Sequence, residues 1–428
     1  MSDLDEVIEH HRTLLELRSP GHPERHFAVN DLAHRLHAGF QQRGVQSDLD
    51  EAIELHRTLL ELRPPGHPER HFTVNDLAHR LHTRFQQRGV QSDLDEAIEI
   101  HRTLLELRPP GHPERHFAVN DLAYRLHTRF QQWGVMSDLD EAIECHRALL
   151  ELRPLGHPER HFAVNDLAHR LHTRFQQRGV MSDLDEAIER HRTLLELRPP
   201  GHPERHFAVN DLAHRLHTRF QQWGVISDLD EAIERHRTLL ELRHPGHPAR
   251  HFAVNDLAHR LHTRFQQRGI VSDLDEAIER HRALLELRPP GHPERHFAVN
   301  DLAHRLHTRF QQQGVMSDLD EAIERHRALL ELRPPGHPER HFAVNDLAHR
   351  LHTRFQQRGV MSDLDEAIEL HRTLLELRPP GHPERHFAVN DLAHRLHVRF
   401  QQQGVPSDLD EAIERHQALL ELRDPLSS

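Results

Sequence analysis

One cysteine and no lysine in 428 residues set the first limits on this chain. A lone thiol, Cys145, cannot close an internal disulfide or form a C-x-x-C pair. It stands where other copies of the same segment carry His10, Leu55, Ile100 or Arg190, which marks an indifferent surface position. Without lysine there is no G-x-x-x-x-G-K-[ST] phosphate loop, and neither G-x-S-x-G nor H-E-x-x-H occurs. Aromatic residues make up 5% and apolar residues 36%, and no run approaches the roughly 18 apolar residues of a membrane span. The opening Met1-Ser2-Asp3-Leu4-Asp5-Glu6 is acidic where a secretory signal is basic and then apolar, so a cytoplasmic location is expected. All 55 basic residues are arginine, yet the net charge of -13 weighs against a nucleic-acid footprint.

Histidine and repetition are what the chain has in excess. The 47 histidines accompany a segment, SDLDEAIE, that returns every 45 residues at Ser47, Ser92, Ser137, Ser182, Ser227, Ser272, Ser317, Ser362 and Ser407, with SDLDEVIE at Ser2. Self-similarity at a period of about 20 to 50 residues is the mark of a stacked-repeat architecture. Residues 1–428 therefore read as a single tandem array, nine full units and a partial one from Ser407, with no stretch left over for a separate catalytic domain.

The unit from Pro68 to Pro110 predicts two helices. Pro68 suits the first turn of helix A, which runs to about Arg88 and stops at Gly89. Val74, Leu77, Ala78, Leu81 and Phe85 recur at three- and four-residue spacing and form one buried stripe. Ser92 is expected to cap helix B, with Asp95 as a short capping box and Asp93 and Glu96 favouring the positive end of the helix dipole. Leu94, Ala97, Ile98, His101, Leu104, Leu105 and Leu107 follow before Pro109-Pro110-Gly111 ends it, with Arg108 near the negative end. One hairpin cannot bury both stripes, so each must stack on its neighbours.

These residues resemble the tetratricopeptide repeat. Val74, Leu77, Ala78 and Leu81 fall on its W-x2-L-G-x2-Y frame, and Ala97, His101 and Pro109 on its A-x3-F and later proline. The longer unit is similar to the extended repeats of kinesin light chains, and more so to the tandem arrays of mushroom-forming fungi with their DLDEAIELHR and LRPPGHPER phrases. The resemblance implies an all-α, right-handed superhelical α-solenoid of helical hairpins with a 45-residue period. It also implies that a caspase-like CHAT domain often follows such an array, and no such domain is present here. Met1 aligns with Met136, Met181, Met316 and Met361, so the start is equally read as an internal methionine of a longer frame.

Every candidate for chemistry is dealt out identically along the array, whereas catalysis needs one asymmetric constellation. The expectation is accordingly no enzyme and no cofactor. On helix A, Asn75, His79, His82 and Gln86 share a stripe beside the apolar face, with Phe72 and Thr83 at its edge. By resemblance this is the concave peptide-binding surface, and Asn and neutral His both donate and accept hydrogen bonds as a peptide backbone requires. The candidate binding residues are Asn30, His34, His37, Asn75, His79, His82, Asn120, Tyr124, His127, Asn165, His169, His172, Asn210, His214, His217, Asn255, His259, His262, Asn300, His304, His307, Asn345, His349, His352, Asn390, His394 and His397. Packing between repeats and metal ligation remain the other readings of these imidazoles. His56 and its copies read as partly buried packing residues, and His67 as a loop and cap residue.

The chain thus reads as a scaffold for protein or peptide partners, with no membrane and no small-molecule substrate. A histidine-dense metal-binding or pH-responsive protein is the alternative, and an arginine-based RNA binder a third. Freely titrating histidines would make the protein least soluble near its sequence pI of 6.4.

Overall fold

A computed structural model describes the protein over residues 3–423, so Met1, Ser2 and the terminal Asp424-Pro425-Leu426-Ser427-Ser428 lie outside the described residues. All regular structure among the described residues is helical, in alternating B and A helices. Nine A helices run from Arg25–Arg43 to Arg385–Gln403, and ten B helices from Asp3–Glu16 to Pro406–Arg423. None is long and apolar enough to cross a membrane. The chain divides into two compact units, Met1–Ala208 and Val209–Ser428, whose boundary falls inside the A helix Arg205–Trp223.

Within the first unit, Arg70–Arg88 and Gln91–Leu107 illustrate the hairpin. Gly89 takes φ +68, the left-handed conformation that favours glycine, and its N–H returns to the Phe85 carbonyl at 2.7 Å. Two boundaries differ from the sequence expectation. Helix A begins at Arg70, and Pro68 lies in the preceding turn, closed by Arg70 N–H to the His67 carbonyl at 3.1 Å. Helix B begins at Gln91 with extended Val90 before it, so Ser92 is already helical and makes no cap bond.

Asp93, in the first turn of helix B, has a partner from the preceding A helix. Its carboxylate is buried and held by the Arg84 fork, Nε to Oδ2 and Nη2 to Oδ1, both at 2.8 Å. Arg84 Nη1 also reaches Asp50 of the preceding B helix at 3.1 Å, so one guanidinium joins three helices. Arg129 repeats this with Asp138 and Asp95. In the second unit Arg264 does so with Asp273 and Asp230, and Arg354 with Asp363 and Asp320. Glu96 accepts from Arg57 of the preceding B helix at 2.7 Å. The acidic helix starts therefore cement neighbouring hairpins, beyond favouring the helix dipole.

Separate hydrophobic clusters bridge neighbouring hairpins inside each unit. Phe40, Leu49 and Ile53 pack with Leu77, Ala78, Leu81 and Ala97 of the next hairpin, and Val74 with Leu104 and Ala118. In the second unit Phe265, Leu274 and Ile278 meet Leu302, Leu306 and Ala322 in the same way. Burying one such leucine contributes about 1.5–3 kcal/mol. The fully buried alanines leave room for the helix backbones to approach. Arg115 Nη1 donates to the Leu105 carbonyl at 2.6 Å and to the Arg108 carbonyl, satisfying the end of helix B from the following helix. Arg108 itself is the buried C-cap residue, salt-bridged to Glu114 at 2.8 Å.

Candidate helix A face

The predicted stripe separates by depth. Asn75 and its copies are partly buried, apart from exposed Asn390. His79, His169, His214, His259, His304 and His349 are also partly buried, while His34, Tyr124 and His394 are exposed. His82 and its copies His37, His127, His172, His217, His262, His307 and His352 keep only 5–9% of their surface, so the structure places them between helices. His397, on the last A helix described, is exposed.

Two neighbours that the sequence reading passed over account for this. Asp121, from the VNDLA phrase of the following repeat, faces His79, with Oδ2 to Nε2 at 3.4 Å. In the second unit His259 and Asp301 lie 3.3 Å apart, as do His304 and Asp346. Arg125, one turn from Asp121, lies beside His82, and burial pulls this guanidinium below its ordinary value. A histidine and an aspartate 42 positions apart, three short of one period, are the signal that would have found the first contact.

Burial first, and then the nearby arginine, push the covered imidazoles down: His82 to about 3, and His127, His217 and His262 to about 4. The B-helix histidines lie deeper than expected. His56, His101, His236, His281, His326 and His371 are fully buried, with His281 and His326 pushed down to about 3, chiefly by burial. Free titration of all the histidines is therefore corrected, because His82, His127, His217, His262, His281 and His326 are held neutral to well below pH 6. Cys145 is corrected too. It is partly buried against Leu122 and Ala142, and burial pushes its thiol up to about 12. His67 keeps its expected role, accepting the Glu69 N–H on Nδ1 at 3.1 Å in the turn before helix A.

Beside Asn75 and His79 the helix A face carries one exposed large apolar ring per repeat. Phe27, Phe72, Phe117, Phe162, Phe207, Phe252, Phe297, Phe342 and Phe387 are each 45–60% exposed. A histidine ring backs each of them, His71 on Phe72 at 4.0 Å and His251 on Phe252 at 4.0 Å. The face thus alternates an apolar anchor with amide and imidazole groups at fixed register.

The family model for the tetratricopeptide repeat matches residues 253–294. Among solved structures, the C-terminal part of a TPR repeat-containing protein from Cytophaga hutchinsonii is similar at 13% identity, covering 74% of this chain and 99% of that one with a TM-score of 0.50. A Podosopora anserina putative kinesin light chain with nearly identical TPR-like repeats is 22% identical over 50% of this chain and 97% of that chain, at a TM-score of 0.34. A human IFIT1 dimer with PPP-AAAA is 15% identical over 99% and 95%, at 0.33. The first likeness concerns the fold alone, and the other two carry no inference about this chain. A comparison with curated proteins finds no match.

Proposed function

Because the chain is an array of tetratricopeptide-like repeats, we propose that it is a protein-interaction scaffold whose helix A face binds extended peptide segments or repeated partners. The observation that carries this reading is the exposed phenylalanine recurring in every repeat beside Asn75 and His79 or their copies. An isolated exposed apolar residue needs no explanation, but one ring at the same register of nine helices is a ladder of anchor points. Asn75 and His79 supply donors and acceptors for a peptide backbone, while His82 and its copies support the face from beneath. Each repeat offers a weak site, and affinity comes from linking several. We read residues 1–428 as one such array, and the resemblance favours its being the interaction part of a longer CHAT-type protein. Sequencing the reading frame on both sides checks that last point.

A partner captured on the full chain and resynthesised as single and tandem segments tests the function. Tandem segments are expected to bind at least tenfold tighter than single ones. Replacing Phe117 by Ala weakens binding slightly, and replacing Phe72, Phe117 and Phe162 together weakens it disproportionately with helicity intact. Unchanged affinity in the triple variant, or capture of RNA in place of protein, refutes the reading.

A further inference from the structure

We propose that His79, His101 and Asp121 form a transition-metal site where one hairpin meets the next. The three side chains come from three helices of the first unit, Arg70–Arg88, Gln91–Leu107 and Arg115–Trp133, and their ligand atoms lie within 4.8 Å of one another. His79 Nε2 is 3.4 Å from Asp121 Oδ2, and His101 Nε2 is 3.7 Å from the same oxygen. A tetrahedral ion with bonds of about 2.0–2.1 Å has ligand edges of roughly 3.3 Å, so both edges to the carboxylate lie within a few tenths of an ångström of that value, and the edge between the two rings is under 4.8 Å.

Both rings are already oriented as ligands. His79 Nδ1 contacts the Asn75 carbonyl and His101 Nδ1 the Ala97 carbonyl, each at 2.8 Å. A carbonyl only accepts, so each Nδ1–H donates to it and each Nε2 faces inward. His101 is fully buried, and its Nε2 has no hydrogen-bond partner. An inward lone pair left unpartnered in the core beside a carboxylate is what a cation would satisfy. His79 and Asp121 are partly open to solvent, which gives the ion an entry path and leaves a fourth position for water.

Two other repeats bring the same residue types together, His34, His56 and Asp76 in one and His349, His371 and Asp391 in the other, but each differs in detail. His349 Nδ1 faces the Arg395 guanidinium at 3.1 Å, so it accepts there and its Nε2–H points at Asp391, the opposite tautomer. Neither ring nitrogen of His146, His236, His281 or His326 has a partner. His34, His56 and Asp76 resemble the proposed set, with His34 further into solvent. At the proposed site the competing cation, Arg125, lies over the Tyr124 ring at 5.4 Å, and Tyr124 is the one tyrosine in the chain. The proposal is therefore one defined site, distinct from a buffer spread over all the histidines.

Titrating Co2+ into the metal-free full chain tests this, with visible absorption reporting tetrahedral coordination and circular dichroism reporting the fold. One equivalent is expected to bind ahead of the rest and to be displaced by Zn2+. Asp121→Asn and His79→Gln are expected to weaken that equivalent by about 100-fold or more at unchanged helicity. Asp301→Asn, the corresponding carboxylate of a later repeat, leaves it in place. A spectrum without tetrahedral bands, or equal losses in Asp121→Asn and Asp301→Asn, overturns the proposal. No peptide enters this experiment, so its outcome is separate from that of the groove.

Discussion

Acid should unfold this protein through its buried histidines, and the cost can be worked out for one ring. His262 keeps 7% of its surface, and burial, then the charge of Arg305 and of His259, pushes it down to about 4 against an opposing pull from Asp301. In the unfolded chain the same ring titrates near 6.5. The folded state thus binds fewer protons between those values. Its stability is complete above pH 6.5 and falls as the pH drops toward 4. At pH 5 the difference for this one ring is about 2 kcal/mol, and at pH 7.5 it is less than about 0.1 kcal/mol. His262→Leu removes the titration but also alters packing. Comparing the same variant at both pH values cancels the packing term, which does not depend on pH. Urea denaturation followed by helicity should therefore show the variant gaining about 2 kcal/mol on wild type between pH 7.5 and pH 5. Rings on both helices, His82, His281 and His326 among them, are pushed down in the same way, so wild type should lose its helices well above pH 4 with uptake of many protons. A pH-independent difference between His262→Leu and wild type, with the ring titrating near 6.5 by NMR, would refute the argument.

Replacing Arg129 by Met strips the guanidinium from Asp138, which is only 2% exposed, and should cost about 3–5 kcal/mol in urea denaturation, whereas a cost below about 1 kcal/mol would mean that water replaces the fork. Gly39 stands mid-helix where later repeats carry Arg84 and its copies. A Cβ there would meet Arg43 Nη2 at 2.8 Å, the far end of a flexible side chain that now pairs with Asp48 and Asp5. Gly39→Arg should restore the missing fork to Asp48 and strengthen the first hairpin by about 1 kcal/mol from helix propensity alone. Slower hydrogen exchange in Arg25–Arg43 is the expected sign, and faster exchange would show that the displaced Arg43 matters more.

The hairpins, the Val74 to Phe85 stripe and the Gly89 stop were legible because they follow from properties of one helix. A 3.6-residue period defines a face, and a positive φ calls for glycine. Ser92 failed as a cap because the helix starts one residue before it, at Gln91 after extended Val90, and the Asp93 carboxylate pairs with Arg84 of the preceding A helix, a contact no single helix reveals. Pro68 likewise looked helical, but the turn closed at His67 begins the helix two residues later.

The helix A stripe shows where a single-helix reading stops being sufficient. On the helical wheel His82 stands nearer the apolar stripe than His79 does, yet the wheel alone cannot settle that one is covered and the other half open. The next repeat decides it, by setting Arg125 near His82 and Asp121 beside His79. The same residue types then reach different ends in different repeats: His101 turns its lone pair toward Asp121, while His281 leaves both nitrogens unpartnered. The residue before the ring tracks this difference, Leu55, Ile100 and Leu370 in the three repeats where the set converges, against Arg280 before His281. Near-identical sequence therefore does not make near-identical sites. The small departures, Tyr124 for histidine and Ile100 for arginine among them, are where one repeat can acquire a chemistry that its neighbours lack.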